Sequence, residues 1–436
     1  MSKLRLAIIG AGPAGIYAAD LILKAERDFE VSIDLFDHLP APYGLVRYGV
    51  APDHPRIKGI INALHEVLDR GDIRFFGNVR YGQDIDLEDL KRHYNAVIFA
   101  TGAIKDAPLA IPGIDLDGSY GAADFVNWYD AHPDVARTWP LNAKEVAVIG
   151  NGNVALDVAR MLVKRPDDLL ATDIPDHVYQ GLRDSPVTDV HVFGRRGPAQ
   201  VKFSPLELRE ALHIDGVQAI VYDEDFQYDQ GSQDAIDSNN QIRVMVKTLE
   251  QLRANPQEPQ ERRLHLHFFA SPVEVVGQDG KVAGLTIEKT KLDGSGGVVK
   301  TGETTNFPIQ AIYRAVGYFG SPVDKIPFDA KSGVIPNEAG RVIGENGESL
   351  QGVYCTGWIK RGPVGLIGHT KADAIETIGN VLQDRDRWWQ PEFSGEDQVV
   401  KTLESRNIDF VDWAKWLKIN SKEKAIGEAL GRERMK

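Results

Sequence analysis

The sequence predicts an α/β fold made of two Rossmann-like βαβ units, the second inserted into the first. Short apolar runs rich in Ile, Val and Phe are each followed by glycine and then by a helix-like pattern, the alternation expected of parallel βα units. Two of these runs open into glycine-rich turns about 140 residues apart, which points to two units of the same kind. The segment 352–374 then repeats a strand, turn and helix well after the second unit ends. Insertion explains that return.

The expected strands are residues 4–9, 32–36, 96–100, 145–149, 189–193 and 351–355, most of them with the length of a buried strand. Crossings between the units are expected near Asp106 and Gly320, giving a first domain from 1–106 and 320–436 and an inserted domain over 107–319. Residues 223–240 are acidic, Gln-rich and weakly periodic, and read as a surface loop. Beyond Trp388 a helical tail containing Trp413 and Trp416 is expected.

A chain of 436 residues has room for two or three domains, each with its own core. Its net charge of −13 supplies no overall field for nucleic acid or an anionic membrane. No uncharged apolar run reaches the ~18 residues of a membrane span. The apolar stretch 6–19 is broken by Gly10, Gly12, Pro13 and Gly15, unlike a secretory signal core. We therefore expect no nucleic acid, no membrane insertion and a cytoplasmic location, or a mitochondrial one should a presequence have been removed. The single cysteine, Cys355, excludes an internal disulfide, an all-cysteine zinc site and an iron–sulfur cluster held by this chain alone.

Strand 4–9 runs into Gly10-Ala11-Gly12-Pro13-Ala14-Gly15, and 16–24 continues as a helix. In a GxGxxG turn the first glycine permits the tight bend, the second admits a pyrophosphate, and the third lets helix and strand pack closely. Helix N-terminal amides then face phosphate oxygens. The second strand ends at Asp37, where an acid should meet ribose hydroxyls.

Strand 145–149 enters Gly150-Asn151-Gly152-Asn153-Val154-Ala155, the GxGxxA variant, with its helix over 156–163. The next strand ends in Gly194-Arg195-Arg196 rather than an acid. An acid there would repel a 2′-phosphate, whereas two guanidiniums can hold one through charge-assisted bonds. That chemistry points to NADPH over NADH, with a solvated basic turn as the bland alternative. The crossover 163–187 is about twice the usual length for such a βα unit.

Ala100-Thr101-Gly102 and Cys355-Thr356-Gly357-Trp358 each follow a strand and are placed to bring backbone against a cofactor. A helix starting at Gly365, Leu366 and Ile367 would point amides at an anionic ring. His54 lies between Pro52 and Pro55, which stiffen the backbone. His265 and His267 share one strand face, read as solvated, and no metal site is expected.

Gly10-Ala11-Gly12-Pro13-Ala14-Gly15, Tyr43-Gly44-Leu45-Val46-Arg47-Tyr48-Gly49-Val50-Ala51-Pro52-Asp53-His54-Pro55, the second glycine turn, Arg195-Arg196 and Gly357-Trp358-Ile359-Lys360-Arg361-Gly362-Pro363 together closely resemble the adrenodoxin reductase-like family of ferredoxin NADP reductases. The resemblance covers nearly the whole chain. It implies that the NADP domain is inserted into the FAD domain. It implies FAD contacts at Ala14, Asp37, Leu45, Val79, Trp358, Gly365, Leu366 and Ile367. The NADP(H) contacts it implies are Asn151, Gly152, Asn153, Val154, Arg195, Arg196, Glu207 and Gly365, and it places Glu210 near His54. Asp37 stands where the family usually has the longer glutamate, which leaves direct ribose contact or a water bridge open.

The activity implied is hydride transfer from NADPH to FAD, then single electrons to a separate ferredoxin. His54 and Glu210 are expected to tune proton supply or nicotinamide placement rather than to act as essential acids or bases. Lys202, Lys360 and Arg361 are the expected docking cations for an acidic ferredoxin. A disulfide reductase of this architecture needs a cysteine pair that Cys355 cannot supply. An FAD-dependent NADPH monooxygenase and a flavin sensor without turnover are the alternatives.

Overall fold

Leu4, Leu6, Ala7 and Ile8 are wholly buried, so both faces of the strand Lys3–Ile9 are covered, as a central parallel strand requires. In the computed structural model, which describes residues 3–294, 297–365 and 367–436, that strand pairs in parallel with Glu30–Phe36 on one side and Ala96–Phe99 on the other. The full sheet has seven strands in the order Asn337–Glu338, Arg341–Ile343, Ser349–Cys355, Ala96–Phe99, Lys3–Ile9, Glu30–Phe36, Ile73–Phe76. Its first three strands form an antiparallel edge and the rest run parallel. This sheet belongs to a compact unit comprising Met1–Val50, His54–Lys105 and Tyr318–Leu430.

The second unit comprises Ala51–Asp53, Asp106–Gly317 and Gly431–Lys436. Its core is a six-stranded sheet in the order Ser119–Gly121, Ala311–Arg314, Glu145–Ile149, Asp189–Phe193, Arg262–His267, Val217–Ile220, with every pairing parallel. The helix Asn153–Val163 buries Leu156, Val158, Ala159 and Leu162 in one cluster with Val148, Val190 and Val192 of the sheet. A three-stranded antiparallel sheet, Ala270–Gln278, Lys281–Leu292 and Val298–Phe307, completes the unit. The α/β class and the parallel sheets expected from the sequence are present.

Two sequence readings are corrected. Residues 223–240 are not a loop: they contain the turn Asp223–Asp225, the helix Gln230–Ser238 and the start of the helix Asn240–Ala254. Side-chain caps compensate for the weak periodicity there. Asp229 accepts from the Ser232 amide, Asn239 accepts from the amides of Gln241 and Ile242, and each such cap satisfies otherwise orphaned helix donors. The long crossover likewise holds the short turn Pro166–Leu169 and the helix Asp176–Arg183. The C-terminal tail is helical as expected, in Gln398–Ser405 and Trp413–Ala429, and Trp416 is wholly buried.

The second correction concerns His265 and His267, which are buried rather than solvated. Their strand face meets His191 of the neighbouring strand, with the His191 and His265 rings 4.2 Å apart and nearly parallel at 10°. Nδ1 of His191 and Nε2 of His267 lie 2.9 Å apart, and the two nitrogens of His265 engage Asp189 and Tyr222. Burial holds His191 down at about 4 and His267 at about 2, so both are neutral imidazoles. The three donors lie within 4.8 Å of one another. Hydrogen bonding and stacking account for the cluster. Among the described residues no helix is long and apolar enough to cross a membrane.

Candidate functional site

The first glycine turn is shaped by close backbone approaches. Gly10 has φ +112°, and a Cβ there would meet the Ala100 carbonyl oxygen at 2.4 Å. A Cβ on Gly15 would come within 2.0 Å of the Gly10 carbonyl oxygen. At Gly12, by contrast, a Cβ would meet only Gly44 Cα, at 3.8 Å. The helix Pro13–Lys24, carrying Ala14 in its first turn, has Gly12 as N-cap and no side chain capping it. Its amide end is therefore suited to an anion.

Asp37 directly follows the second strand, Glu30–Phe36, and is buried at 8% exposure. Its Oδ2 accepts from the Ala11 amide at 2.8 Å and its Oδ1 from the Leu39 amide at 2.9 Å. Val79 donates its amide to the Asp37 carbonyl at 2.9 Å and is buried. Gly44, with φ +49°, leads into the short helix Leu45–Tyr48. The hydroxyl of Thr101, just after the strand Ala96–Phe99, is buried with no partner among the described residues. An open amide end, an acid at the strand end and an orphaned hydroxyl fit a dinucleotide such as FAD.

The Gly357-Trp358 turn packs against the same helix, since a Cβ on Gly357 would lie 2.6 Å from the Ala14 Cβ. Trp358 is half-buried and begins the helix Trp358–Arg361. Asp373 holds this turn by accepting from the Gly357 amide at 2.5 Å and the Thr356 hydroxyl at 3.0 Å. Sequence reasoning missed Asp373, which lies on the following helix, Ile367–Gln383. Gly365 is exposed with φ +83°, Ile367 opens that helix, and Leu366 lies outside the described residues.

Lys360 is not a free docking cation. Its side chain is 6% exposed and its Nζ lies 3.1 Å from Asp373 and 2.5 Å from Glu376. Arg361 also faces Asp373, at 3.5 Å. Of the three expected docking cations Lys202 alone is exposed. The acids that capture the other two lie on a helix read from the sequence only for its N-terminus.

The second glycine turn repeats the design in the second unit. Gly150 has φ +150°, and a Cβ there would meet the Ala315 carbonyl oxygen at 2.2 Å. Among the described residues nothing lies within 4 Å of where a Cβ on Gly152 would sit, and Gly152 N-caps the helix Asn153–Val163 without side-chain help. Asn151 accepts the Lys202 amide on its carbonyl at 2.9 Å, and the Asn153 side chain accepts the Ser204 amide at 2.8 Å. Val154 is half-buried in the first turn.

Arg195 and Arg196 are tethered through their backbones. The Arg195 carbonyl accepts the Thr290 hydroxyl at 2.7 Å and the Arg196 carbonyl accepts the Phe269 amide at 3.2 Å. Arg195 is exposed, and the Arg196 Nε is buried without a hydrogen-bond partner among the described residues. Two guanidiniums on a turn tethered through its backbone fit a phosphate group.

Glu207 and Glu210 lie on the helix Pro205–Leu212, which Ser204 caps by accepting the Glu207 amide at 3.2 Å. Both carboxylates face Arg160, Glu207 at 3.4 Å and Glu210 at 3.9 Å. Arg160 is 2% exposed and also binds Asp53 through two bonds of 2.9 and 3.0 Å. Neither Arg160 nor Asp53 was picked out from the sequence, because their pairing spans 107 positions. His54 is buried in the first unit at the start of the short helix Pro55–Lys58, and its carbonyl accepts the amides of Ile57 and Lys58.

A family described as pyridine nucleotide-disulphide oxidoreductase matches residues 4–185. The chain is 41% identical to the NADPH-ferredoxin reductase FprA of Mycobacterium tuberculosis, covering 100% of this chain and 97% of that one. It is 38% identical to the mitochondrial NADPH:adrenodoxin oxidoreductase of Arabidopsis thaliana over 97% of this chain and 91% of the relative. The human NADPH:adrenodoxin oxidoreductase is 37% identical, over 99% and 89%. The solved structure of Mycobacterium tuberculosis FprA in complex with NADPH superposes with a TM-score of 0.93 at 39% identity, covering 100% of this chain and 97% of that chain. The chain belongs to the family of NADPH-ferredoxin and NADPH:adrenodoxin reductases.

Proposed function

We propose that this chain is an NADPH-ferredoxin reductase in which the first unit holds FAD, the inserted unit holds NADP(H), and a separate iron–sulfur ferredoxin takes the electrons. One contrast carries the reading: both glycine turns present uncapped helix ends, but the first is followed by Asp37 and the second by Arg195-Arg196. An acid suits ribose hydroxyls and paired arginines suit a 2′-phosphate. FAD, when bound, supplies the conversion of a two-electron donor into single-electron steps.

The residues of the chain bind and orient. Gly10, Gly12, Ala14 and Gly15 admit a pyrophosphate to the first helix end, with Asp37, Leu45, Val79 and Trp358 around the rest of the cofactor. Gly365 and the start of the helix Ile367–Gln383 would hold its ring. Asn151, Gly152, Asn153 and Val154 do the same for NADP(H), with Glu207 and the arginine pair fixing its orientation. His54 and Glu210 place the nicotinamide or tune proton supply, and the transfer itself requires no proton from them. A cytoplasmic location belongs to the same reading and is tested by cell fractionation.

The experiment is to purify the protein, identify any bound flavin, and compare NADPH with NADH in ferredoxin-dependent cytochrome c reduction. Sustained turnover with a clear NADPH preference is expected. Oxidation that stops after one equivalent of NADPH contradicts a reductase.

A further inference from the structure

We propose that Arg160 is a positioning residue for this reaction, one guanidinium that fixes both the Ala51–Asp53 segment and the Glu207 and Glu210 face of its helix. The inference rests on the NADPH and FAD reading above. Arg160 sits on Asn153–Val163, the helix whose N-terminus forms the second glycine turn. Its Nε and Nη2 grip the Asp53 carboxylate at 2.9 and 3.0 Å, Nη2 also reaches Asp157 at 2.9 Å, and Nη1 faces Glu207 at 3.4 Å and Glu210 at 3.9 Å. Lys164 adds a second cation on Asp53, at 3.2 Å.

Stability is a poor explanation for this arrangement. Burying an ion pair gains little over packing apolar groups in the same volume, because both charges lose their water. What a planar, five-donor guanidinium adds over any apolar group or lysine is direction: it holds several carboxylates at set angles at once. Glu207 and Glu210 are three positions apart on one helix face, so a single cation can orient both.

Asp53 matters through what is bonded to it. The segment Ala51–Asp53 packs with the second unit, whereas the chain from His54 onward packs with the first. Pro52 and Pro55 limit backbone freedom on either side of Asp53-His54. A rotation at Asp53 is therefore passed to the His54 peptide rather than absorbed by a flexible loop. Arg160 is a positioning group and not an acid or base of the reaction. It acts through its neighbours.

Two variants of the flavin-loaded protein test this. Arg160→Lys keeps the charge and loses the fork, while Asp53→Asn leaves Arg160 its other partners and weakens the hold of Arg160 and Lys164 on the segment. Each is measured for flavin content, melting temperature, and KM and kcat in NADPH-dependent ferricyanide reduction. We expect normal flavin content in both. Arg160→Lys should raise the KM for NADPH and lower kcat, each on the order of tenfold, whereas Asp53→Asn should lower kcat with KM little changed. Should Arg160→Lys fail to fold, the Asp53→Asn split decides alone. Wild-type KM and kcat in Asp53→Asn, or losses in either variant that follow flavin loss or melting alone, overturn the positioning role. Failure of the unaltered protein to oxidise NADPH would count against the functional reading itself.

Discussion

The Asp37 carboxylate accepts the Ala11 amide at 2.8 Å, tying the end of the second strand to the middle of the first glycine turn. Its other oxygen accepts the Leu39 amide at 2.9 Å. One acid thus braces the turn while retaining lone pairs for a ribose. Asp37→Ala strands two buried amides, each costing about 1–3 kcal/mol. We predict lower thermal stability and weaker FAD retention, read from melting curves and from the ratio of visible to ultraviolet absorbance. Asp37→Asn keeps one acceptor and should fall between.

The arginine pair should set coenzyme choice. Each charge-assisted contact with a 2′-phosphate is worth roughly 1.5–3 kcal/mol. Replacing both Arg195 and Arg196 by alanine should therefore cut the ratio of kcat/KM for NADPH to that for NADH by about a hundredfold or more. NADH kinetics should change little, because that coenzyme offers the arginines no phosphate at that position. An unchanged ratio removes the argument for the second site.

Lys202 and Lys360 should behave differently on charge reversal. Lys202 is exposed, so Lys202→Glu should slow ferredoxin association and flatten its dependence on salt, with stopped-flow mixing as the measurement. Lys360 is buried between Asp373 and Glu376. Lys360→Glu would leave three acids together beside the Gly357-Trp358 turn, and should lower stability and flavin content rather than alter docking.

The stacked histidines make unfolding sensitive to acid. His191 stays neutral in the folded chain down to about 4 and His267 to about 2, held there mainly by burial, while the unfolded chain protonates them below about 6.5. Their contribution is complete above that unfolded value and is lost as pH falls toward the folded ones. Asp225, raised by burial to about 7, and Asp106, raised to about 6, act in the opposite sense because the folded chain binds their protons more tightly. His267→Phe isolates one imidazole against that background. The variant's urea stability should fall less steeply between pH 6 and pH 4, by up to about 1.4 kcal/mol per pH unit. Parallel slopes in variant and parent contradict the assignment.

Much of this was legible from residue order because the determinants were local. Glu145–Ile149 and Asp189–Phe193 have the bounds read from the sequence, since a short β-branched run ending at glycine marks a parallel strand at both ends. The first helix starts at Pro13 rather than Ile16, because proline is well accommodated in a helix's first turn. What could not be read depended on partners distant in sequence. The His265 and His267 face looked solvated from its own strand, and the groups that cover it, among them His191, 76 positions from His267, and Phe307, are distant in sequence. Asp373 and Arg160 sit inside ordinary helical patterns, and only folding brings the Gly357 turn and Asp53 to them. The helices at Gln230–Ser238 and Asn240–Ala254 were missed because capping by Asp229 and Asn239, not periodicity, marks where they begin.

The most direct test is an anaerobic titration of the purified, flavin-loaded protein followed through its visible spectrum. Near-stoichiometric NADPH should bleach the flavin band promptly, with NADH far slower at equal concentration. A preparation that stays colourless after incubation with FAD, or a band that NADPH leaves untouched, contradicts the paired cradles on which the account rests.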